Sequence, residues 1–567
     1  MRNLSPILCG LLVLPLMMTS CSKLGAFDAS NATVTPQPLE VSADKVPLVI
    51  AGRFPEKYFK KNAEIRITPV LHYAGGEVKG HTAEFQGEKV RGNGQEVSYD
   101  IGGVFSIREQ FPYDPAMIQS DLYLTFDARQ KGKNVSLPDV KVGSGVLATA
   151  TLVSHTAASA TPALGADAYR YAIEQRQEAQ IRYLIQQSRV RQSELRTPSV
   201  EQFVETLRSI KEDAKGHALS SIEISAYASP DGGQQLNKNL AQAREQSSKE
   251  YVDAQLRKLD LDAAVSTRYT AQDWEGFQTL VRESNIQDKE VILRVLSMYD
   301  DPEEREAQIK NISVGFRELA DEILPELRRA RLSVNYLLIG RTDAEIQEQY
   351  EKDASQLSVE ELLYAATLTD NADKKASIYA KATSLYPQDY RAQNNLGVVH
   401  FTKGDIEVAE ACFDRALTIK KDVAEAHANK ALVALTRGRI DVAEEELSQA
   451  TTTKNYSEVL GNLLIAKGQY GQACQQLAQS ITPSAALAQL LNKDYVGADK
   501  TLSQLEQPTA LSAYLGAIVA ARTGLKEKAI SQLAEAIRLD RNLKDLAKKD
   551  LEFAGLQADA QFQNLLK

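Results

Sequence analysis

The feature that most constrains this chain is a pattern of small residues that returns after 34 positions. Gly397, Gly404, Ala409, Phe413 and Ala416 are answered 34 residues later by Ala431, Gly438, Ala443, Leu447 and Ala450. A period of that length with these spacings describes a helix, a turn and a second helix, each unit too small to bury its apolar face alone. Stacking is therefore obligatory. The small residues mark where two helices touch closely, and Phe413 and Leu447 fill the seam beside them. One period earlier the chain supplies Tyr379, Ala382 and a terminating Pro387. Later units drift: Gly461, Gly468, Ala473 and Leu477 form a shortened repeat, Ala498 and Leu502 a poor one, and Ala517, Gly524, Ala529, Leu533 and Ala536 a good one. Five or six units are expected over residues 359–540, with a helical cap over 542–567.

This register resembles the tetratricopeptide repeat, whose stacked first helices line a concave groove. The resemblance implies a surface that holds another protein. Asn395 and Asn429 fall on equivalent sites, two residues before Gly397 and Ala431, where related arrays use Asn to hold the backbone of an extended peptide; the alternative is capping of helix contacts. His400 and His427 also lie on first helices, where isolated imidazoles are usually packed side chains. The groove shows no Lys/Asn set for clamping a C-terminal carboxylate. Cys412 and Cys474 lie on second helices two units apart, too far for a disulfide, and read as small core residues.

At 567 residues the chain is too long for one core, and its 66 basic against 75 acidic residues argue against a general grip on nucleic-acid phosphates. The first twenty residues read as an export signal: Arg2, an apolar run from Ile7 to Met18, then Thr19-Ser20 before Cys21. The Met-Thr-Ser-Cys ending resembles a lipoprotein signal, which implies a diacylglycerol on Cys21 and an outer-membrane lipid as its partner. Ordinary cleavage near Ser20 with a free Cys21 is the alternative.

Residues 21–38 are small and polar and read as a flexible tether. From 39 to 153 the period becomes two, as in Glu64-Ile65-Arg66-Ile67-Thr68 and Leu122-Tyr123-Leu124-Thr125-Phe126, broken by turn signals such as Gly75-Gly76 and Gly102-Gly103. An antiparallel β-sandwich of seven to nine strands is predicted. Its fold assigns no role, and a spacer or docking module is expected. The Ser/Thr/Ala-rich stretch that follows reads as a linker over 154–177.

A strand, helix, strand, helix order over 178–270 then implies an α/β domain, interrupted by a helical insertion at 273–327 and closed by a strand near Arg328-Arg329-Ala330-Arg331. Trp274 is expected to pack the insertion onto the sheet. The run Ile222-Glu223-Ile224-Ser225-Ala226-Tyr227-Ala228-Ser229-Pro230-Asp231-Gly232-Gly233, followed by Asn237, Leu240 and Arg244 on a helix, resembles the signature of OmpA-like C-terminal domains, in a loop form similar to Bacteroidetes relatives. The resemblance covers 178–340 and implies peptidoglycan binding. Arg244 would supply a guanidinium fork for the carboxylate of diaminopimelate, and an acidic side chain would accept from its ammonium. The register puts Ser229 where the family has Asp, with Asp231 two residues on. Either Asp231 takes over the ammonium contact, or the fold persists without the ligand. The plainer readings are loop packing for Asn237 and a surface charge or ion pair for Arg244.

The whole chain therefore reads as multidomain: signal, tether, β-sandwich, linker, α/β OmpA-like domain with insertion, and an all-α tetratricopeptide solenoid over 341–567. No catalytic, phosphate-binding, dinucleotide or zinc motif occurs, so neither an enzyme nor a cofactor is expected. Two functions fit. One is a lipid-anchored outer-membrane scaffold that grips peptidoglycan and recruits envelope proteins. The other is an accessory subunit of an assembly, secretion or adhesin system that binds clients without gripping the wall. Ser22-Lys23-Leu24-Gly25 lacks the acidic run of a surface-export signal, which points to the periplasmic face.

Overall fold

In a computed structural model, the structure describes residues 24–286, 288–311 and 315–567. Cys21 and the export signal lie outside the described residues. Contacts divide the chain into two units, one joining the residues up to Ala166 with Thr369–Lys567 and the other comprising Asp167–Leu368.

The first unit opens with two β-sheets around one core. Strands Ala32–Thr35, Lys45–Phe54 and Gly103–Pro112 form one sheet. The other is built on Ala63–Tyr73 and Ser120–Gln130, with Ala83–Gly87, Gln95–Val97, Lys133–Val135, Val140–Ser144 and Gly76–Lys79 attached. Most pairings are antiparallel, although Ala83–Gly87 runs parallel to Gln95–Val97. The alternation does what a period of two requires: in Lys45–Phe54, Val46, Leu48, Ile50, Gly52 and Phe54 turn inward while Arg53 and Ala51 face out.

The predicted tether is corrected here. Leu24 and Phe27 are buried in the sandwich core, Phe27 lying 5.9 Å from Phe54 and 5.6 Å from Phe126 between ring centroids, and Ala32–Thr35 is a paired strand. Two apolar side chains in a polar stretch give no periodicity to read, yet burying them removes the freedom a tether needs.

The helices of the array belong to the same unit. After Ala372–Leu385 come the pairs Tyr390–Lys403 with Ile406–Ile419, Ala424–Thr436 with Ile440–Ser448, Tyr456–Ala466 with Tyr470–Gln476, Pro483–Leu491 with Tyr495–Ser503, and Ala510–Arg522 with Lys526–Leu539. The close approach read from Gly397 is real: a Cβ there would sit 2.6 Å from Phe413 Cε1, and one at Gly461 would sit 2.5 Å from Leu477. Gly404, Gly438, Gly468 and Gly524 all have positive φ at the turns between paired helices, which explains why Gly recurs at that offset. The array packs on one end of the sandwich, where Tyr470 and Leu491 join its core and Tyr470 Oη lies 3.4 Å from Ser42 Oγ.

The second unit contains a four-stranded sheet in the order Ala172–Arg182, Arg329–Ile339, His217–Tyr227, Ala264–Thr270, the first two pairings antiparallel and the last parallel. Helices Pro198–Glu212 and Gln234–Leu259 contribute Phe203, Leu207, Val252 and Leu256 to a core with Ile222, Ile224 and Leu332. The first strand begins earlier than predicted because its opening residues are exposed and show no alternation. The insertion folds around its own core, with Trp274 against Phe277 at 5.6 Å. This corrects the role expected for Trp274. The buried pair Asp273–Arg329, 3.1 Å apart, joins the insertion to the closing strand instead. Helices Asp343–Asp353 and Val359–Ala365, expected to open the array, also belong to this unit, where Tyr169 stacks on Tyr364 and Arg341 meets Glu361 at 2.7 Å.

Candidate functional site

The concave face of the array is filled by the protein's own chain, and the predicted linker is corrected accordingly. Residues 153–159 form the helix Val153–Ser159, which lies against the first helices of the array. Ala157 and Ala160 pack among Val398, Phe401, Ala431, Leu432 and Leu435, and Thr156 Oγ1 donates to Asn462 Oδ1 at 2.7 Å in a buried setting. Residues 161–166 then continue along the groove as an extended strap.

The strap is read every second residue, as an extended backbone must be. Asn455 Nδ2 donates to the carbonyl of Thr161 at 3.0 Å, and the Thr161 N–H donates to the Glu458 carboxylate. Ala163 donates its N–H to Asn429 Oδ1 at 2.7 Å and accepts from Asn429 Nδ2 at 2.8 Å. Gly165 repeats the arrangement with Asn395, at 2.8 Å and 2.9 Å. A carboxamide donates and accepts side by side at neutral pH without carrying a charge, so it pairs with a residue's backbone as a neighbouring strand would. Asn394 braces the pair, donating to Ala163 O at 3.0 Å and to Asn395 Oδ1 at 3.1 Å, while accepting from Asn429 at 3.0 Å.

The strap's sequence fits the alternation. Pro162, which lacks an N–H, and Leu164, half exposed, occupy the positions between the clamped residues. Gly165 is buried where a Cβ would sit 2.9 Å from Arg391 Cγ. Arg391 closes the end of the strap on Ala166 O at 3.2 Å. Burial pushes the Glu458 carboxyl above its usual range in spite of its hydrogen bonds with Thr161, Ser484 and Thr482.

Sequence reasoning singled out Asn395 and Asn429 but missed Asn394, Asn455, Glu458 and Asn462. Asn394 neighbours a recognised Asn and Glu458 falls at the position matching Asn394 in a later repeat, whereas Asn455 and Asn462 fall at neither and carry no signal in the sequence. The two imidazoles are packed side chains: His400 meets Asp405 at 3.1 Å, and His427 meets Glu446 at 2.6 Å. Cys412 and Cys474 are free thiols.

In the second unit the four residues singled out for diaminopimelate do come together around one loop. Asn237 is buried and donates to Ser229 O at 3.0 Å and Gly232 O at 3.1 Å, so it holds the loop closed. Arg244 is 1% exposed. Its guanidinium donates to the carbonyls of Gln187, Tyr227 and Leu184 at 3.0, 2.9 and 3.4 Å and lies 5.2 Å from the Tyr183 ring centroid. Burial pulls it down to about 10. It is neither a surface charge nor half of an ion pair. Asp231 is bound by Arg328 at 3.2 Å through Oδ2, while its Oδ1 is buried without a hydrogen-bond partner among the described residues. The backbone of Ser229 is occupied by Asn237, and its hydroxyl faces Arg328 Nε at 3.4 Å. Among the described residues no group of His, Cys, Asp and Glu could hold a metal ion, and no helix is long and apolar enough to cross a membrane.

Comparison with known proteins supports the repeats. Residues 390–423 match the tetratricopeptide repeat family model. Tetratricopeptide repeat protein 5 of Homo sapiens is 29% identical over 20% of this chain, and that of Bos taurus is 28% identical over 20%; the chain spans 29% of the length of each. A solved tetratricopeptide repeat protein from Parabacteroides merdae is similar over 37% of this chain and 91% of its own, at 15% identity and a TM-score of 0.30. Pseudomonas aeruginosa pilF is similar over 39% of this chain and 100% of its own, at 21% identity and a TM-score of 0.27.

Proposed function

We propose that this protein is a lipid-anchored envelope scaffold whose repeat array is locked to its sandwich by an internal strap, and that it serves as an accessory subunit binding client proteins. The tetratricopeptide repeats provide a protein-interaction scaffold; the envelope setting rests on the lipoprotein-like signal ending at Cys21. The single observation that carries the reading is the double clamp of Ala163 and Gly165 by Asn429 and Asn395. A free array would bind a partner's extended segment there; here that chemistry is committed within the chain, so clients are left the surfaces that the strap does not cover.

Of the two roles that the OmpA-like resemblance allows for the second unit, we propose the one without a wall grip. What supports it is the state of Arg244, whose guanidinium already serves backbone carbonyls, and of Asp231, already paired with Arg328. A ligand carboxylate would have to displace backbone partners that burial leaves no water to replace. The outer membrane is the proposed location and the periplasm the proposed face.

The test is sedimentation of the purified chain with peptidoglycan sacculi, beside intact-mass measurement of the protein extracted from membranes. The chain is expected to stay in the supernatant and to carry a diacylglycerol on Cys21. Sedimentation that free diaminopimelate competes away would overturn the choice between the two roles; an unmodified Cys21 would remove the anchor.

A further inference from the structure

The buried positions of Leu24 and Phe27 change what a lipid at Cys21 would do. Three residue steps separate Cys21 from Leu24, and steps of that number span at most about 10 Å. A lipid there would bring the sandwich to the bilayer surface.

The end of the sandwich that the chain enters is well defined. The Leu24 N–H donates to Gln130 Oε1 at 3.2 Å, and Gln130 pairs with Ala63 at the start of its strand. Lys61, two residues before Ala63, meets Asp100 at 3.2 Å in the turn that carries Ile101. The Lys57 N–H donates to Tyr99 O at 2.7 Å in the same turn. Ile101 is 79% exposed and Val104 71%. Beside that turn stand Lys57, Lys60, Lys61 and Lys89, with Lys60 Nζ and Lys61 Nζ 5.1 and 5.6 Å from the Tyr99 ring centroid. Of the acidic neighbours Glu56, Glu88, Glu96 and Asp100, Glu88 and Asp100 are paired with Lys61. The array packs at the opposite end of the same strands, where Ser42 meets Tyr470.

We propose that this end of the sandwich is a membrane-contact surface, with Ile101 and Val104 entering the headgroup region of an anionic bilayer and the surrounding cations on lipid phosphates. The proposal rests on the reading that Cys21 carries a lipid. Exposed apolar side chains beside lysines suit an interface with an apolar interior and an anionic face. The acyl chains hold the protein at the bilayer; the tip sets its orientation, so that the array faces away from the lipid.

The experiment uses the chain from residue 22, in a Cys474→Ala background, held by an N-terminal hexahistidine tag on vesicles of phosphatidylethanolamine and phosphatidylglycerol doped with nickel-chelating lipid. The readout is thus independent of acylation in cells. An environment-sensitive NBD probe at Ile101→Cys is expected to shift blue and to be quenched by nitroxide lipids, while a probe at Val496→Cys, a site 83% exposed, stays water-like. Charge reversal by Lys60→Glu and Lys89→Glu is expected to reduce the Ile101 shift at least twofold. A probe at 101 as water-like as that at 496, or a shift that survives charge reversal, overturns the proposal. Failure of the lipid reading appears separately, as an unmodified Cys21 in the mass of the native protein.

Discussion

The carboxamide of Asn429 lies edge to edge with the backbone of Ala163, accepting its N–H at 2.7 Å and donating to its carbonyl at 2.8 Å across 266 residues of chain. Asn395 repeats the contact on Gly165, so two successive repeats hold two alternate residues of one strap. The groove is closed from within.

Asn429→Ala is expected to lower the unfolding free energy of the first unit by about 1–3 kcal/mol, because it strips the Ala163 N–H of its acceptor and removes a donor from its carbonyl. Asn429→Asp keeps the acceptor but turns the donor into a second acceptor facing Ala163 O and Asn394 Oδ1. It should be at least as damaging at neutral pH and recover in acid as the carboxylate takes up a proton. Thermal unfolding followed by circular dichroism at two pH values separates the cases.

How far these features were legible in the sequence depends on where their signal lies. Gly397 and Phe413 announce themselves because a helix contact that excludes a Cβ recurs with the repeat. The sandwich strands do so because one face is buried. The strap does not: Thr161-Pro162-Ala163-Leu164-Gly165 has the composition of a linker, and the groups that bind it lie in another part of the chain and touch only its backbone. Arg244 misled for the same reason, since carbonyl acceptors leave no mark in sequence. Asn395 and Asn429 were found because the repeat itself carries them, although their occupant was sought in another protein.

Gly397→Ala is expected to destabilise the array, since its Cβ would meet Phe413 Cε1 at 2.6 Å and Cys412 Cβ at 3.0 Å, and the Phe413 ring is fully buried. Phe413→Leu, introduced with it, should restore part of the loss, whereas Phe413→Ala alone should cost about 3–5 kcal/mol. A double-mutant cycle by denaturant unfolding measures the coupling. Strict additivity would mean that the two positions do not touch.

Asp550 gives the cap a pH dependence. It accepts from Tyr514 Oη at 2.7 Å and from the Glu552 N–H at 3.0 Å, and burial pushes its carboxyl up to about 6. A folded-state value above the unfolded one means that stability present near pH 4 is lost as pH rises through 6. Asp550→Asn should therefore be more stable than the natural chain at pH 7 by about 3 kcal/mol, with the difference vanishing below pH 4. Melting temperatures across that range check the sign.

Arg244→Lys is expected to weaken the second unit by about 2 kcal/mol, because an ammonium cannot reach carbonyls of Gln187, Tyr227 and Leu184 that a planar fork spans. Limited proteolysis should show earlier cleavage within Asp167–Leu368 and unchanged cleavage in the repeats.

The most direct test of the internal clamp is hydrogen exchange at residues 161–166. The amides of Ala163 and Gly165 are predicted to be protected in the natural chain and to lose that protection, ahead of the surrounding helices, when Asn395 and Asn429 are both replaced by Ala. Exchange of both amides at the rate of an unstructured peptide in the natural chain would contradict the clamp.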